Sequence, residues 1–526
     1  MTMVPLEIFQ TILRHLDRLL VYLKIRPIGL RLPKSASRIF ETRNHDVVLP
    51  TSSMRPLHEF QREALALFSE PCNIQRMSYM SACLNAEYVK KLKRGTECML
   101  PSFCHTLPTG QEEGTFIALD MGGSTFRVAL VALSTRAADN DGINIKHMTV
   151  NKINESIRRL PARQFFAWMA GKIQDMLHQC KDGQMSQDET ISIGLAWSFP
   201  IEQTSHQGGT VQPMGKGFKA HEGVIGQDLG NLLEVACRER GLEVQVNAIV
   251  NDSSATLLSQ AYKDPATTMS LILGTGTNAA IYLPVKHLGK DKFGMRDPSW
   301  FEQAEKVIIN TEVSMFGKGI LPTTRWDEEL NRAHSAPDFQ PLEYMTTGRY
   351  LGELLRLVIA EAIGTCQMFS GLIPDNISGR YTLDTALLAA IEEDTTMGCI
   401  SSAERIQKEF GLLSLPTPAE MTFLRTVVEA ISHRAAAYIA TAIHALWSLK
   451  HGGPHEATSK TSVAANGSVM LMYPGFRTRC QRYVADMIAA GHSSISSRSN
   501  HEVLIQPTHE ATILGAAVAV AIADAT

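Results

Sequence analysis

Leu119-Asp120-Met121-Gly122-Gly123-Ser124-Thr125-Phe126-Arg127-Val128 is the stretch on which the fold turns. It continues a short apolar run, Phe116-Ile117-Ala118-Leu119, and the apolar pattern resumes from Val128 to Leu133. Two strands are therefore expected, with the glycines in a hairpin turn between them. Glycines at a strand end let backbone N–H groups come close to a phosphate, and Asp120 is suited to holding a hydrated Mg2+. Taken alone, Gly-Gly between strands is usually just a turn.

Outward from this turn the same arrangement recurs. Ile191 to Phe199 reads as a buried strand ending at Ser198-Phe199-Pro200, followed by the glycine loop Gly215-Lys216-Gly217-Phe218-Lys219. Val244 to Val250 is a strand ending in Asn251-Asp252-Ser253-Ser254, whose polar side chains suit the cap of a following helix. Met269 to Leu273 is turned back by Gly274-Thr275-Gly276-Thr277-Asn278. Asn310-Thr311-Glu312, Glu343 and Asn466-Gly467-Ser468 complete the polar set, the last after Val463 to Ala465. Helical periodicity runs through Leu57–Lys93, Phe165–Gln179, Tyr350–Phe369, Glu420–Leu449 and Ile513–Ala525. Alternating strands and helices with polar turns at the strand ends predict an α/β protein, with ligands at the carboxyl edges of its sheets. An aspartate at such an edge is placed to act as a general base toward an alcohol, and carboxylates accept hydrogen bonds from sugar hydroxyls.

A chain of 526 residues is too long for one core. Its 44% hydrophobic and 20% charged residues are ordinary for a soluble globular protein, and a net charge of −3 gives no bulk attraction to nucleic acid. Nine scattered cysteines without a CxxC pair, and no secretory leader, read as reduced thiols in an intracellular compartment. The N-terminus is distinctive. Leu6, Phe9, Leu13, Leu16, Leu20 and Leu23 recur at helical spacing among Arg14, Arg18, Lys24 and Arg26, and Pro27 ends the pattern. Residues 5–26 read either as a membrane-surface or organelle-targeting element or as a helix packed on the protein's own body. Residues 1–45 form this arm and the start of a linker that runs on to Pro56.

Each polar segment has a bland alternative, but their joint order closely resembles the hexokinase family. The stretch from Met99-Leu100-Pro101 through Leu107-Pro108-Thr109-Gly110 to Asp120-Met121-Gly122-Gly123 is similar to the family's entry to its first phosphate loop. Tyr350-Leu351-Gly352-Glu353-Leu354 and Glu392-Glu393-Asp394-Thr395 resemble intervening family segments, and Asn466-Gly467-Ser468 to Tyr473-Pro474-Gly475-Phe476 looks most like fungal hexokinases. The likeness spans roughly residues 57 to 522. It implies a two-domain actin-like ATPase/sugar kinase fold, ribonuclease H-like, with a ligand cleft between the domains. Residues 46–256 would form the small-domain half and 257–526 the large-domain half, the last helix returning to the small domain.

The resemblance implies transfer of the γ-phosphate of MgATP to the 6-hydroxyl of a hexose of the glucose, fructose and mannose class. Asp252 would be the base, with Lys216 beside it. Ser198, Lys216, Asn251, Asn278, Glu312 and Glu343 would bind the hexose. Gly122, Gly123, Ser124, Arg127, Thr275, Gly467 and Ser468 would cradle ATP, and Asp120 would meet Mg2+ through water.

Departures from the family pattern lie mostly on the nucleotide side. Gly215 stands where threonine is usual, Thr125 for asparagine, and Asn466 for aspartate. The family's Glu-Trp-Gly-Ala-Phe-Gly-Asp is Glu312-Val313-Ser314-Met315-Phe316-Gly317-Lys318, where Met315 is expected to crowd the sugar pocket. Its Asp-Gly-Ser-Gly-Lys-Gly is Glu510-Ala511-Thr512-Ile513-Leu514-Gly515, which places bulk where a helix N-terminus should approach the nucleotide. Losing the threonine hydroxyl alone should cost about 1 kcal/mol. Two readings follow: a working ATP:hexose 6-phosphotransferase, or a weak or inactive hexokinase-like regulator that senses sugar in carbon or starvation signalling, with a regulatory protein partner. The expected location is cytoplasmic, at the mitochondrial surface through residues 5–26, with the nucleus as the alternative.

Overall fold

The structure, a computed structural model, describes residues 54–137, 142–180, 190–215, 217–450, 460–492 and 501–525. The N-terminal arm with its 5–26 pattern, and Lys216, lie outside the described residues.

Thirteen strands are described: Leu100–Pro101 (β1), Gly114–Met121 (β2), Thr125–Leu133 (β3), Ile143–Lys152 (β4), Ile191–Trp197 (β5), Ile201–Gln203 (β6), Gly209–Val211 (β7), Val244–Val250 (β8), Thr267–Leu273 (β9), Thr277–Pro284 (β10), Lys306–Asn310 (β11), Lys460–Asn466 (β12) and Glu502–Pro507 (β13). They form a sheet in the order β4-β3-β2-β5-β8, a second in the order β1-β11-β10-β9-β12-β13, and the small β6-β7 hairpin. The two large sheets share one plan. In each, an antiparallel meander (β2-β3-β4 or β9-β10-β11) is followed by two parallel strands, β5-β8 or β12-β13. This duplicated α/β architecture, with the neighbours reported below, is the expected two-domain sugar kinase fold.

Three cores hold it together. The N-terminal sheet packs Ile117, Leu119, Leu195 and Val246 against Phe165, Met169, Ile173 and Leu233 from the helices Ala162–Gln179 and Leu229–Arg238. Phe165, Phe166, Met169, Ala170, Ile173 and Met176 follow helical spacing and are all buried, which is why this segment is a helix on a sheet. The C-terminal sheet carries the largest core, built with the helices Gly348–Cys366, Pro418–Lys450 and Phe476–His492. Between the sheets lies a third core, where Ala118, Ala196 and Val250 of one sheet and Ala280 and Ile308 of the other enclose the helices Asp252–Lys263 and Ala511–Ala525. Two glycines set the spacing: a Cβ on Gly194 of β5 would lie 2.1 Å from the Ala516 carbonyl oxygen, and one on Gly515 would lie 1.8 Å from that of Ala255.

The reading of 46–256 as one half is corrected at its start. Phe60, Phe68, Met77, Leu84 and Tyr88 belong to the core of the C-terminal sheet, and β1 pairs with β11 of that sheet. The single helical segment Leu57–Lys93 is also two helices, Leu57–Ser69 and Ile74–Lys93. Pro71 interrupts them, and Asn73 caps the second through the amides of Gln75 and Arg76. The helix expected to reach Phe369 stops at Cys366, because Gln367, Phe369 and Ser370 all adopt left-handed backbone. All nine cysteines are free thiols. Among the described residues no helix is long and apolar enough to cross a membrane.

Candidate active site

Asp252 is the first residue of the helix enclosed between the two sheets, directly after β8. Asn251 is its N-cap, accepting the Ser253 amide at 2.9 Å and the Ser253 hydroxyl at 2.7 Å. Both Asp252 carboxylate oxygens are engaged: the Ser253 amide donates to one at 2.7 Å, and the Ser198 hydroxyl to the other at 3.1 Å. Ser198 follows β5, and its amide donates 3.2 Å to the Met121 carbonyl at the end of β2. The neighbouring ends of β2, β5 and β8 therefore hold the aspartate.

The C-terminal sheet supplies the rest of this cluster. Asn278, on β10, donates through its carboxamide to Asn310 Oδ1 at 2.9 Å and to Asn251 Oδ1 at 3.4 Å. Asn310 in turn donates to Glu312 Oε1 at 2.8 Å. Glu312 holds a left-handed backbone (φ 50°), a conformation costly for a non-glycine residue and concentrated at functional sites. Glu343 accepts the Thr277 amide at 3.1 Å, and a Cβ on Gly276 would meet its carboxylate at 2.8 Å. Glycine is what lets the carboxylate lie along that turn. Ser198, Asn251, Asp252, Asn278 and Glu312 are thus joined in one chain of contacts, and Glu343 stands one residue from Asn278.

Asp120, the penultimate residue of β2, is buried. Its Oδ2 accepts the Thr512 hydroxyl at 2.8 Å and faces Arg127 Nη1 at 3.3 Å. The same Nη1 is 3.5 Å from Glu510. Burial pushes the Asp120 carboxyl up to about 6; Thr512 and Arg127 oppose the rise, and the charges of Asp252 and Glu510 add to it. Gly122, Gly123 and Ser124 make the β2–β3 turn, closed by the Gly122 amide on the Thr125 carbonyl at 3.1 Å and braced by Arg158 on the Gly123 carbonyl at 3.0 Å.

Thr275 and Ser468 are exposed at the turns after β9 and β12. These turns meet where a Cβ on Gly274 would lie 3.3 Å from the Ser468 amide, and Gly467, at φ 98°, has no room for one beside the Leu273 carbonyl. Two glycine-bearing turns with exposed hydroxyls at adjacent strand ends, and a buried carboxylate near the end of β2, are the kinds of group that suit a polyphosphate carrying a divalent cation.

Most of the bulky departures are buried in the cores. Ile513 and Leu514 are buried in the inter-sheet core, and Val313 and Met315 pack in or against the core of the C-terminal sheet. The expected bulk at the last helix is therefore corrected, since Ile513 and Leu514 are buried at the helix start; Met315 stays half-buried, three residues from Glu312. Lys318 forms an exposed ion pair with Asp338 at 3.0 Å. Asn466 accepts the Gly467 amide at 2.7 Å.

The Asn310-Thr311-Glu312 motif does not by itself disclose the linking role of Asn310, and Thr512 and Glu510 stand out in the sequence only as departures from the family pattern. Arg158 carried no local signal, since only the folded chain brings it to Gly123.

Two family profiles, each described as Hexokinase, match residues 66–262 and 268–522. Hexokinase-1 of Saccharomyces cerevisiae is 30% identical over 439 residues, covering 82% of this chain and 85% of that protein. The Hexokinase-like 1 protein of Arabidopsis thaliana is 31% identical over 432 residues, covering 80% and 82%. Among solved structures, the hexokinase from Schistosoma mansoni complexed with glucose superposes with a TM-score of 0.73 at 24% identity, over 89% of this chain and all of that one.

Proposed function

The chain belongs to the hexokinase family, and from that premise we propose that it holds a hexose between its two sheets and transfers the γ-phosphoryl group of MgATP to the sugar 6-hydroxyl. The observation that carries the reading is the seat of Asp252, at the head of a helix enclosed by both sheets, with its carboxylate fixed by Ser198 and Ser253. A carboxylate so held accepts the hydroxyl proton without first reorganising. Asn251, Asn278, Glu312 and Glu343 offer donors and acceptors for the other hydroxyls, and Lys216 belongs with them. Gly122, Gly123, Ser124, Thr275, Gly467 and Ser468 would take the phosphates, with Arg127 and Asp120 beside them. The Mg2+ that accompanies ATP neutralises phosphate charge when bound, and Asp120 would meet it through water. Enclosing the acceptor between two sheets also keeps out water, the competing nucleophile.

Turnover of glucose, fructose or mannose with MgATP in a coupled assay, lost in Asp252→Ala, is the expected result. One observation favours a second reading, the slow or silent sugar sensor. Asp120 is already engaged by Thr512 and Arg127, and Glu510 lies 3.5 Å from the same Arg127 nitrogen, so a nucleotide must break into an occupied cluster. Hexose binding by calorimetry without turnover would select it. For residues 5–26 we retain the proposal of contact with an organelle surface, mitochondrial first. Unchanged localisation after deletion of residues 1–34 would remove it.

A further inference from the structure

We infer that Glu510 is a resident anion that holds Arg127 against the incoming nucleotide and thereby sets a low nucleotide affinity. The inference rests on the reading that Arg127 and Asp120 border the phosphates.

Arg127 Nη1 lies between two carboxylates, 3.3 Å from Asp120 Oδ2 and 3.5 Å from Glu510 Oε2. One guanidinium cannot neutralise both, so the Asp120–Arg127–Glu510 trio carries a net negative charge where a polyanion would bind. Glu510 Oε2 is sealed from solvent and has no hydrogen-bond donor among the described residues, which leaves Arg127 as the charge that balances it. Glu510 also sits in left-handed backbone, at φ 49°, immediately before the helix Ala511–Ala525. Glycine or asparagine would hold that turn with less strain, so the turn itself does not call for glutamate. Its side chain is also one methylene longer than the aspartate of the family pattern, which extends its reach toward Arg127. A triphosphate approaching this edge meets like charge first and gains Arg127 only by displacing Glu510.

Calorimetric titration of the full chain with MgADP and MgATP tests this. Glu510→Gln keeps shape and removes charge; the expected result is a Kd about tenfold lower than wild type. Arg127→Gln should weaken both nucleotides. A gain in affinity is a readout that structural damage does not produce, and hexose titration of each variant reports whether the other half of the site is intact. Equal or weaker nucleotide binding by Glu510→Gln, with hexose binding retained, would overturn the inference and leave the proposed function standing. Absence of nucleotide binding by wild type and both variants would overturn it together with the reading beneath it.

Discussion

Gly515 meets Ala255 so closely that a Cβ on the glycine would lie 1.8 Å from the Ala255 carbonyl oxygen. This contact joins the last helix of the chain to the helix that begins with Asp252, and both are held between the sheets. The position of the proposed base thus depends on a packing contact far from it in sequence. Gly515→Ala should cost about 3 kcal/mol, because the obstacle is backbone and cannot rotate aside. Urea unfolding measures it; an unchanged midpoint would refute the packing argument.

Asp120 makes the protein's stability depend on pH in a specific direction. Its folded-state value of about 6 lies above the ordinary 3.8, so the folded protein holds this proton more tightly than the unfolded chain. The ionisation penalty is absent below the unfolded value, grows between the two values, and is complete above about 6. Two pK units correspond to about 3 kcal/mol. Asp120→Asn should therefore raise the melting temperature of the ligand-free protein at pH 8 and lose that advantage at pH 4. A pH-independent effect would contradict this origin.

The Ser198 hydroxyl holds one oxygen of Asp252 at 3.1 Å. A hydrogen bond to a charged group contributes about 1.5–3 kcal/mol, so Ser198→Ala should lower kcat by about ten- to a hundredfold. Hexose KM should change less. A variant that loses only KM would show that Ser198 serves the sugar rather than the base.

Arg434, fully buried on the helix Pro418–Lys450, donates to Asp327 at 2.5 and 2.7 Å, and Asp327 also completes a capping box with Thr324. Asp327→Ala leaves a buried cation unpaired and should cost about 3–5 kcal/mol in chemical unfolding. Replacing both residues with apolar ones should recover much of that loss.

The fold was legible where local pattern and tertiary role coincide. Val244–Val250 was read at its observed bounds, because a buried strand ending in Asn-Asp-Ser gives both an apolar run and a cap signal. The duplicated sheet plan was not read, since register and strand order arise from pairings between distant segments. The packing of Leu57–Lys93 on the C-terminal sheet was missed for the same reason: amphipathic helices declare a face but not its partner. In the site, Asn278 and Glu312 were read from motif order, whereas Asn310, which links them, was quoted without a role. Ile513 and Leu514 were read as obstructing bulk because sequence does not tell which side of a helix start faces inward. The buried inter-sheet core decides that.

The most direct measurement compares steady-state glucose phosphorylation by wild type and Asp252→Asn, with glucose binding to each followed by calorimetry. The account predicts that turnover falls by at least about 10³-fold while glucose binding stays within a few-fold, since the amide keeps the shape and loses the base. A variant that phosphorylates glucose at the wild-type rate would contradict the assignment of Asp252.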